Sequence, residues 1–127
     1  MNIQKFTQKS VEAVNNLEKT AMEYGNQEIE QEHLLYCLLT QEESLISRLI
    51  SKMDIDSTLF KEQVEQALNR RVKVSGGQPY VGQYLNKALI SAEDEAKRMG
   101  DEYVSVEHLF LSLLDNSSPS MKDLFRE

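Results

Sequence analysis

Residues 25–39 read Gly-Asn-Gln-Glu-Ile-Glu-Gln-Glu-His-Leu-Leu-Tyr-Cys-Leu-Leu, and residues 100–114 read Gly-Asp-Glu-Tyr-Val-Ser-Val-Glu-His-Leu-Phe-Leu-Ser-Leu-Leu. One shift, Gly25 to Gly100, aligns them: Ile29 falls on Val104, Glu32-His33-Leu34 on Glu107-His108-Leu109, and Leu38-Leu39 on Leu113-Leu114. It holds further along, where Ile46, Leu49 and Ile50 fall on Met121, Leu124 and Phe125. Upstream, Phe6, Val14, Leu17, Ala21 and Tyr24 recur at the spacing of one helical face, as do Val81, Leu85, Ala88, Leu89, Ala92, Ala96 and Met99. Self-similarity at a fixed period over this length marks a duplicated structural unit.

Each repeat therefore reads as a long helix closed by a glycine, a short helix opening at Glu30 or Ser105, and another short helix around 44–53 or 119–126. Repeat one adds a fourth, capped by Asp56 and running to Asn69 on Leu59, Phe60, Val64, Ala67 and Leu68. The counterpart of that helix would begin near residue 134, so repeat two is expected to lack it and to leave apolar faces partly uncovered. Arg70 to Pro79, with two charged residues at its start, a glycine pair and a proline, reads as an exposed linker. No strand pattern stands out. The expected fold is all-α: two pseudo-symmetric helical repeats packed together, repeat one over 1–71, linker over 72–80, repeat two over 81–127 and truncated.

A chain of 127 residues suits one compact domain. Its net charge of −7 repels phosphate backbones and anionic lipid heads, which argues against nucleic acid and membrane surfaces as partners. The start lacks the apolar core of a signal peptide, and Leu34 to Leu39 is too short to cross a bilayer, so a cytosolic protein is expected. Cys37, the single cysteine, sits inside an apolar run and reads as a buried small hydrophobe. The five glycines build no phosphate-binding loop, so no ATP binding is expected of this chain. The two histidines have no metal-ligand spacing, and no nucleophile is placed with a histidine; neither a metal site nor a catalytic site is expected.

Four polar positions remain. Thr7 can cap the first helix, with Phe6 before it packing on Val11. Asp101, after the helix-closing Gly100, reads as a turn residue accepting local amides. Glu32 and Glu107 fall in the first turns of equivalent short helices, where the unpaired amides stabilise a carboxylate by about 0.3–1 kcal/mol. Duplicated acidic helix starts could also frame a shared groove.

The order Phe6-Thr7, Tyr24-Gly25-Asn26-Gln27, Glu32-His33-Leu34-Leu35, Leu38-Leu39 and then 99–109 resembles the Clp N-terminal repeat domain over essentially the whole chain. The junction Gln66-Ala67-Leu68-Asn69-Arg70 followed by Lys73-Val74-Ser75-Gly76-Gly77 resembles the ClpB branch; the related ClpC and ClpA domains have different linkers there. The resemblance implies a mobile lobe on a bacterial cytosolic homohexamer, whose remaining modules use ATP and magnesium to thread unfolded or aggregated polypeptides. It implies a polypeptide-binding groove at Thr7, Asp101 and Glu107, with Glu32 as a possible symmetry-related site. A ClpC-like lobe receiving phosphorylated arginine or an adaptor is the alternative within this family, and a small helical hydrolase lies outside it. Gln31 and Arg71 stand where many relatives have proline, departures expected to affect the helix start and the linker.

Overall fold

A computed structural model describes residues 3–126. The expected bounds at residues 1 and 127 lie outside the described residues.

Repeat one holds α1 (Gln8–Asn15), α2 (Leu17–Glu23), α3 (Gln31–Leu39), α4 (Leu45–Lys52) and α5 (Ser57–Asn69), and repeat two holds α6 (Gln83–Arg98), α7 (Val106–Asp115) and α8 (Pro119–Phe125). The helix starts follow capping chemistry. Thr7, Ser44, Asp56, Ser105 and Ser118 each accept a backbone N–H from the first turn that follows. Gly25 (φ 71°) and Gly100 (φ 75°) end the equivalent helices in the left-handed region.

The long first helix is in fact broken. At Asn16 (φ −90°, ψ −4°) the chain tightens between α1 and α2, its N–H bonding both Glu12 and Ala13 carbonyls. Two consecutive asparagines, poor helix formers, sit at this point, whereas α6 carries Ile90 and Ser91 in the same register and runs unbroken.

Two strand pairings also arise that the pattern did not suggest. β1 (Glu28–Ile29) pairs in parallel with β2 (Tyr80–Val81), aligning Ile29 with Val81, and Phe6 bridges Val104 in the same sense. Under the repeat shift these are one contact made twice. The Gly82 N–H donates to the Ile29 carbonyl at 2.8 Å, and the Thr7 N–H to the Val104 carbonyl at 2.9 Å. The segment before the first helix of each repeat thus pairs with the segment entering α3 or α7 of the other. Such short pairings come from tertiary approach, which leaves no period in the sequence.

Helix α3 is the centre of the core, packed against α1, α2, α4, α5, α6 and α7. Leu34, Leu35 and Leu38 on it are fully buried, as are Leu85, Leu109 and Leu113, each contributing about 1.5–3 kcal/mol. Cys37 is buried in this core 3.3 Å from the Thr20 hydroxyl, and burial pushes its thiol pKa up. Met99, Val81 and Leu59, assigned to apolar faces by their spacing, are exposed.

Candidate functional site

The reciprocal pairings create two equivalent seams between the repeats. At the first, the bridge of Phe6 to Val104 sets Thr7 beside Val104, three residues from Asp101 and three from Glu107 in the chain. The Thr7 hydroxyl is engaged as a cap, accepting the Ser10 N–H at 3.3 Å and donating to the Ser10 hydroxyl at 3.0 Å. Asp101 accepts no local amide through its side chain; its Oδ2 lies 2.9 Å from Nε2 of buried His108. The Nδ1 of that imidazole accepts the Ser105 N–H at 2.9 Å, so the proton is on Nε2 and is donated to Asp101. Half of the Asp101 side chain (49%) remains in solvent, Glu107 is exposed, and Tyr103 and Met99 beside them expose apolar surface. Lys5 and Glu102 form an exposed ion pair at 3.8 Å near the rim.

The second seam repeats this geometry with other residues. Asn26 replaces Asp101, accepting from His33 Nε2 at 3.0 Å, while His33 Nδ1 accepts the Glu30 N–H at 2.9 Å. Burial, with the Arg71 guanidinium adding to it, pushes the His33 pKa down to about 4. Glu32, the equivalent of Glu107, is 2% exposed and meets Arg71 Nη1 at 3.4 Å and the Ser120 hydroxyl at 2.7 Å. This seam is closed by the protein itself.

Three residues that sequence reasoning did not place in the seams complete the closure. The Glu30 carboxylate, at the N-cap of α3, also reaches α6: its Oε1 lies 3.5 Å from the Leu85 N–H and so serves the first turn of a helix whose N-cap, Gly82, has no side chain. Burial first, with Glu28 and Glu32 adding to it, pushes the Glu30 pKa up to about 7 against the opposing pull of the Leu85 amide and Arg71. Gln31, fully buried, donates to the carbonyls of Tyr84 (3.1 Å) and Asn116 (2.9 Å) and accepts the Ser118 N–H (2.9 Å). Arg71, the third, is folded back onto β1 and α3 and not extended with the linker. The signal was present in Gln31 and Arg71, the two positions at which the sequence departs from the resemblance: Gln31 bonds across to repeat two, and Arg71 ties the start of the linker back onto repeat one.

A separate cavity of about 470 Å³ lies where the turn from α4 to α5 faces α7 and α8, lined chiefly by Ile50, Met53, Leu59, Phe110, Leu114 and Phe125. Among the described residues no group of histidine, cysteine, aspartate and glutamate could hold a metal ion, and no helix is long and apolar enough to cross a membrane.

The family model of the Clp repeat (R) N-terminal domain matches residues 5–127. The chain is 40% identical over 126 residues to the chaperone protein ClpB of Nitratidesulfovibrio vulgaris, covering 95% of this chain and 15% of that relative. It is 36% identical over 129 residues to ClpB of Clostridium tetani, covering 98% of this chain and 15% of the relative. The chain thus spans about one seventh of the length of these relatives. Among solved structures, the N-terminal domain of Hsp104 from Candida albicans superposes with a TM-score of 0.87 at 20% identity, over 97% of this chain and 81% of that one. The N-terminal domain of the ClpV1 ATPase from E. coli superposes with a TM-score of 0.82 at 22% identity, over 96% of this chain and 77% of the other. At these identities the two structures establish the shared helical fold.

Proposed function

This chain belongs to the family of Clp repeat N-terminal domains, of the ClpB branch, and from that premise we propose that it engages unfolded or aggregated polypeptide for a ClpB-type AAA+ disaggregase. The observation that carries the reading is the inequality of the two seams. Glu32 is buried against Arg71 and Ser120, whereas Glu107 and half of the Asp101 side chain face solvent at an edge with exposed Tyr103 and Met99. Apolar surface with carboxylates at its rim suits weak, sequence-tolerant capture of extended segments through their amides and basic side chains. The parent protein is a homohexamer in the bacterial cytosol, powered by ATP and magnesium in modules outside this chain. The lobe itself has no catalytic role.

A phosphorylated arginine, the ligand of the alternative reading, would carry its phosphate toward Asp101 and Glu107, where the basic Lys5 already pairs with Glu102. Free phosphoarginine is therefore expected not to displace a bound unfolded polypeptide.

The variants for the test follow from the structure. Replacing Asp101 by alanine would strand the buried His108 N–H, at a cost of about 1–3 kcal/mol, more than a surface change. Asp101→Asn keeps the acceptor, as Asn26 does in repeat one. In a fluorescence titration with a permanently unfolded polypeptide, Asp101→Asn and Glu107→Gln are expected to weaken binding severalfold with melting temperatures near that of the parent chain. Thr7→Ala is expected to weaken binding too, and to lose about 1 kcal/mol of stability with its cap. Unchanged affinity in all three folded variants would remove the site assignment.

A further inference from the structure

Of the three carboxylates at the closed seam, Glu30 is the one without a cation in contact. Arg71 pairs with Glu28 on β1 and Glu32 on α3, and among the described residues no basic side chain lies within ion-pair distance of Glu30. Yet Glu30 is 4% exposed, and its Oε2 is buried with no hydrogen-bond partner among the described residues. The other groups around it add no positive charge. His33 accepts the Glu30 N–H through Nδ1 and is kept neutral by burial, α6 presents Tyr84, and α8 with its cap presents Ser118, Pro119 and Ser120. A carboxyl group so placed is stable with its proton, because ionisation would leave a desolvated charge answered only by the Leu85 N–H at 3.5 Å.

This side chain also straddles the joint between the repeats. It fills the space above Gly82, where a β-carbon would lie 1.7 Å from its Oε1, and it serves the first turn of α6. Around it the joint is made by the Gly82 N–H on the Ile29 carbonyl at 2.8 Å and the Tyr80 N–H on the Gln27 carbonyl at 2.9 Å. The open seam has the same bridge, from the Thr7 N–H to the Val104 carbonyl, but under the repeat shift Glu30 falls there on Ser105 and Gly82 on Thr7. Neither hydroxyl ionises. We infer that Glu30 is a proton-operated latch between the repeats: protonated, it holds β2 and the start of α6 against β1, and on ionising it moves to solvent and lets them part, while the bridge at the open seam stays closed. The latch is independent of polypeptide capture, because it acts in the free chain.

The pH window follows from the raised Glu30 pKa. The parted seam releases the proton near the ordinary value of 4.5 and the closed seam keeps it to about 7. Parting should therefore become about tenfold easier for each pH unit between these values and level off above them. His33, bonded to Asn26 and to the Glu30 backbone, stays folded with repeat one when the seam parts, so its opposite titration enters global unfolding only.

The test is amide hydrogen exchange followed by NMR from pH 5 to 8, in the parent chain and in Glu30→Gln, with each rate expressed as protection relative to an unstructured peptide at the same pH. In the parent chain the protection of Gly82 and Tyr80 is expected to fall about tenfold per pH unit from 5 to 7 and then level off, while that of Thr7 changes little. In Glu30→Gln all three should be nearly independent of pH. Should that variant fail to fold, the comparison of Gly82 with Thr7 in the parent chain decides alone. Protection of Gly82 that ignores pH, an equal fall at Thr7, or a fall that persists in Glu30→Gln would each overturn the latch.

Discussion

Gly82→Ala is expected to destabilise the domain by about 1–3 kcal/mol, the range for overpacking a close-packed site. Backbone strain is not the reason, since Gly82 has φ −74° and ψ 166°, which alanine adopts readily. Space is the reason. A β-carbon at Gly82 would lie 1.7 Å from Glu30 Oε1 and 2.6 Å from its carboxyl carbon, so the carboxylate would have to leave. It would take with it the acceptor that serves the first turn of α6. The clash and the lost cap share one cause, so the two positions should couple: in a Glu30→Ala background, Gly82→Ala should cost no more than about 0.5 kcal/mol. Thermal melts of the four chains measure that coupling, and equal costs in both backgrounds would show that Glu30 does not fill the space at Gly82.

The second large effect is on pH. Glu30 has its pKa raised from 4.5 to about 7, so the folded state holds a proton that the unfolded chain releases earlier. Its contribution to stability is complete below pH 4.5 and is lost as pH rises through 7. His33 has the opposite sign: lowered from 6.5 to about 4, it contributes fully above pH 6.5 and is lost as pH falls through 4. Between pH 4.5 and 6.5 the two slopes oppose each other, and the parent chain should show little pH dependence from this seam. Glu30→Gln retains an acceptor for the Leu85 amide but removes the titration. Its stability should climb from pH 4 to 6.5 and exceed that of the parent chain by up to about 3 kcal/mol above pH 7. Glu28, Glu32 and Arg71 surround position 30 in both chains, so the difference isolates the Glu30 titration. Denaturant titrations across this range that gave parallel profiles for the two chains would contradict the shift.

Much of the fold was legible because it is written in local chemistry. Asp56 and Ser105 announce helix starts, Gly25 and Gly100 announce ends, and the shift between those glycines ties α3 to α7 and α4 to α8, leaving α5 without a counterpart. The break at Asn16 was missed because the apolar spacing runs through it without interruption, and propensity alone marks the asparagine pair. What stayed hidden is contact between residues far apart in the chain. Glu30 looked like a helix start, which it is, but its side chain also reaches α6; Arg71 looked like a linker residue, yet its guanidinium pairs with Glu28 on β1 and Glu32 on α3. The candidate site was half legible. The backbone of Thr7 pairs with Val104 in the segment between Asp101 and Glu107, but the neighbour of Asp101 is an imidazole seven positions on, which changes what its replacement would cost.

The central claim, that unfolded polypeptide is held at the open seam, is tested most directly by amide chemical-shift mapping of the labelled chain during titration with an unfolded polypeptide. The predicted result is a contiguous set of perturbed amides around Thr7, Asp101, Val104 and Glu107, with those of Glu30, Glu32 and Ser120 at the closed seam left in place. Perturbation confined to the cavity between Ile50 and Phe110, or none at saturating polypeptide, would contradict it.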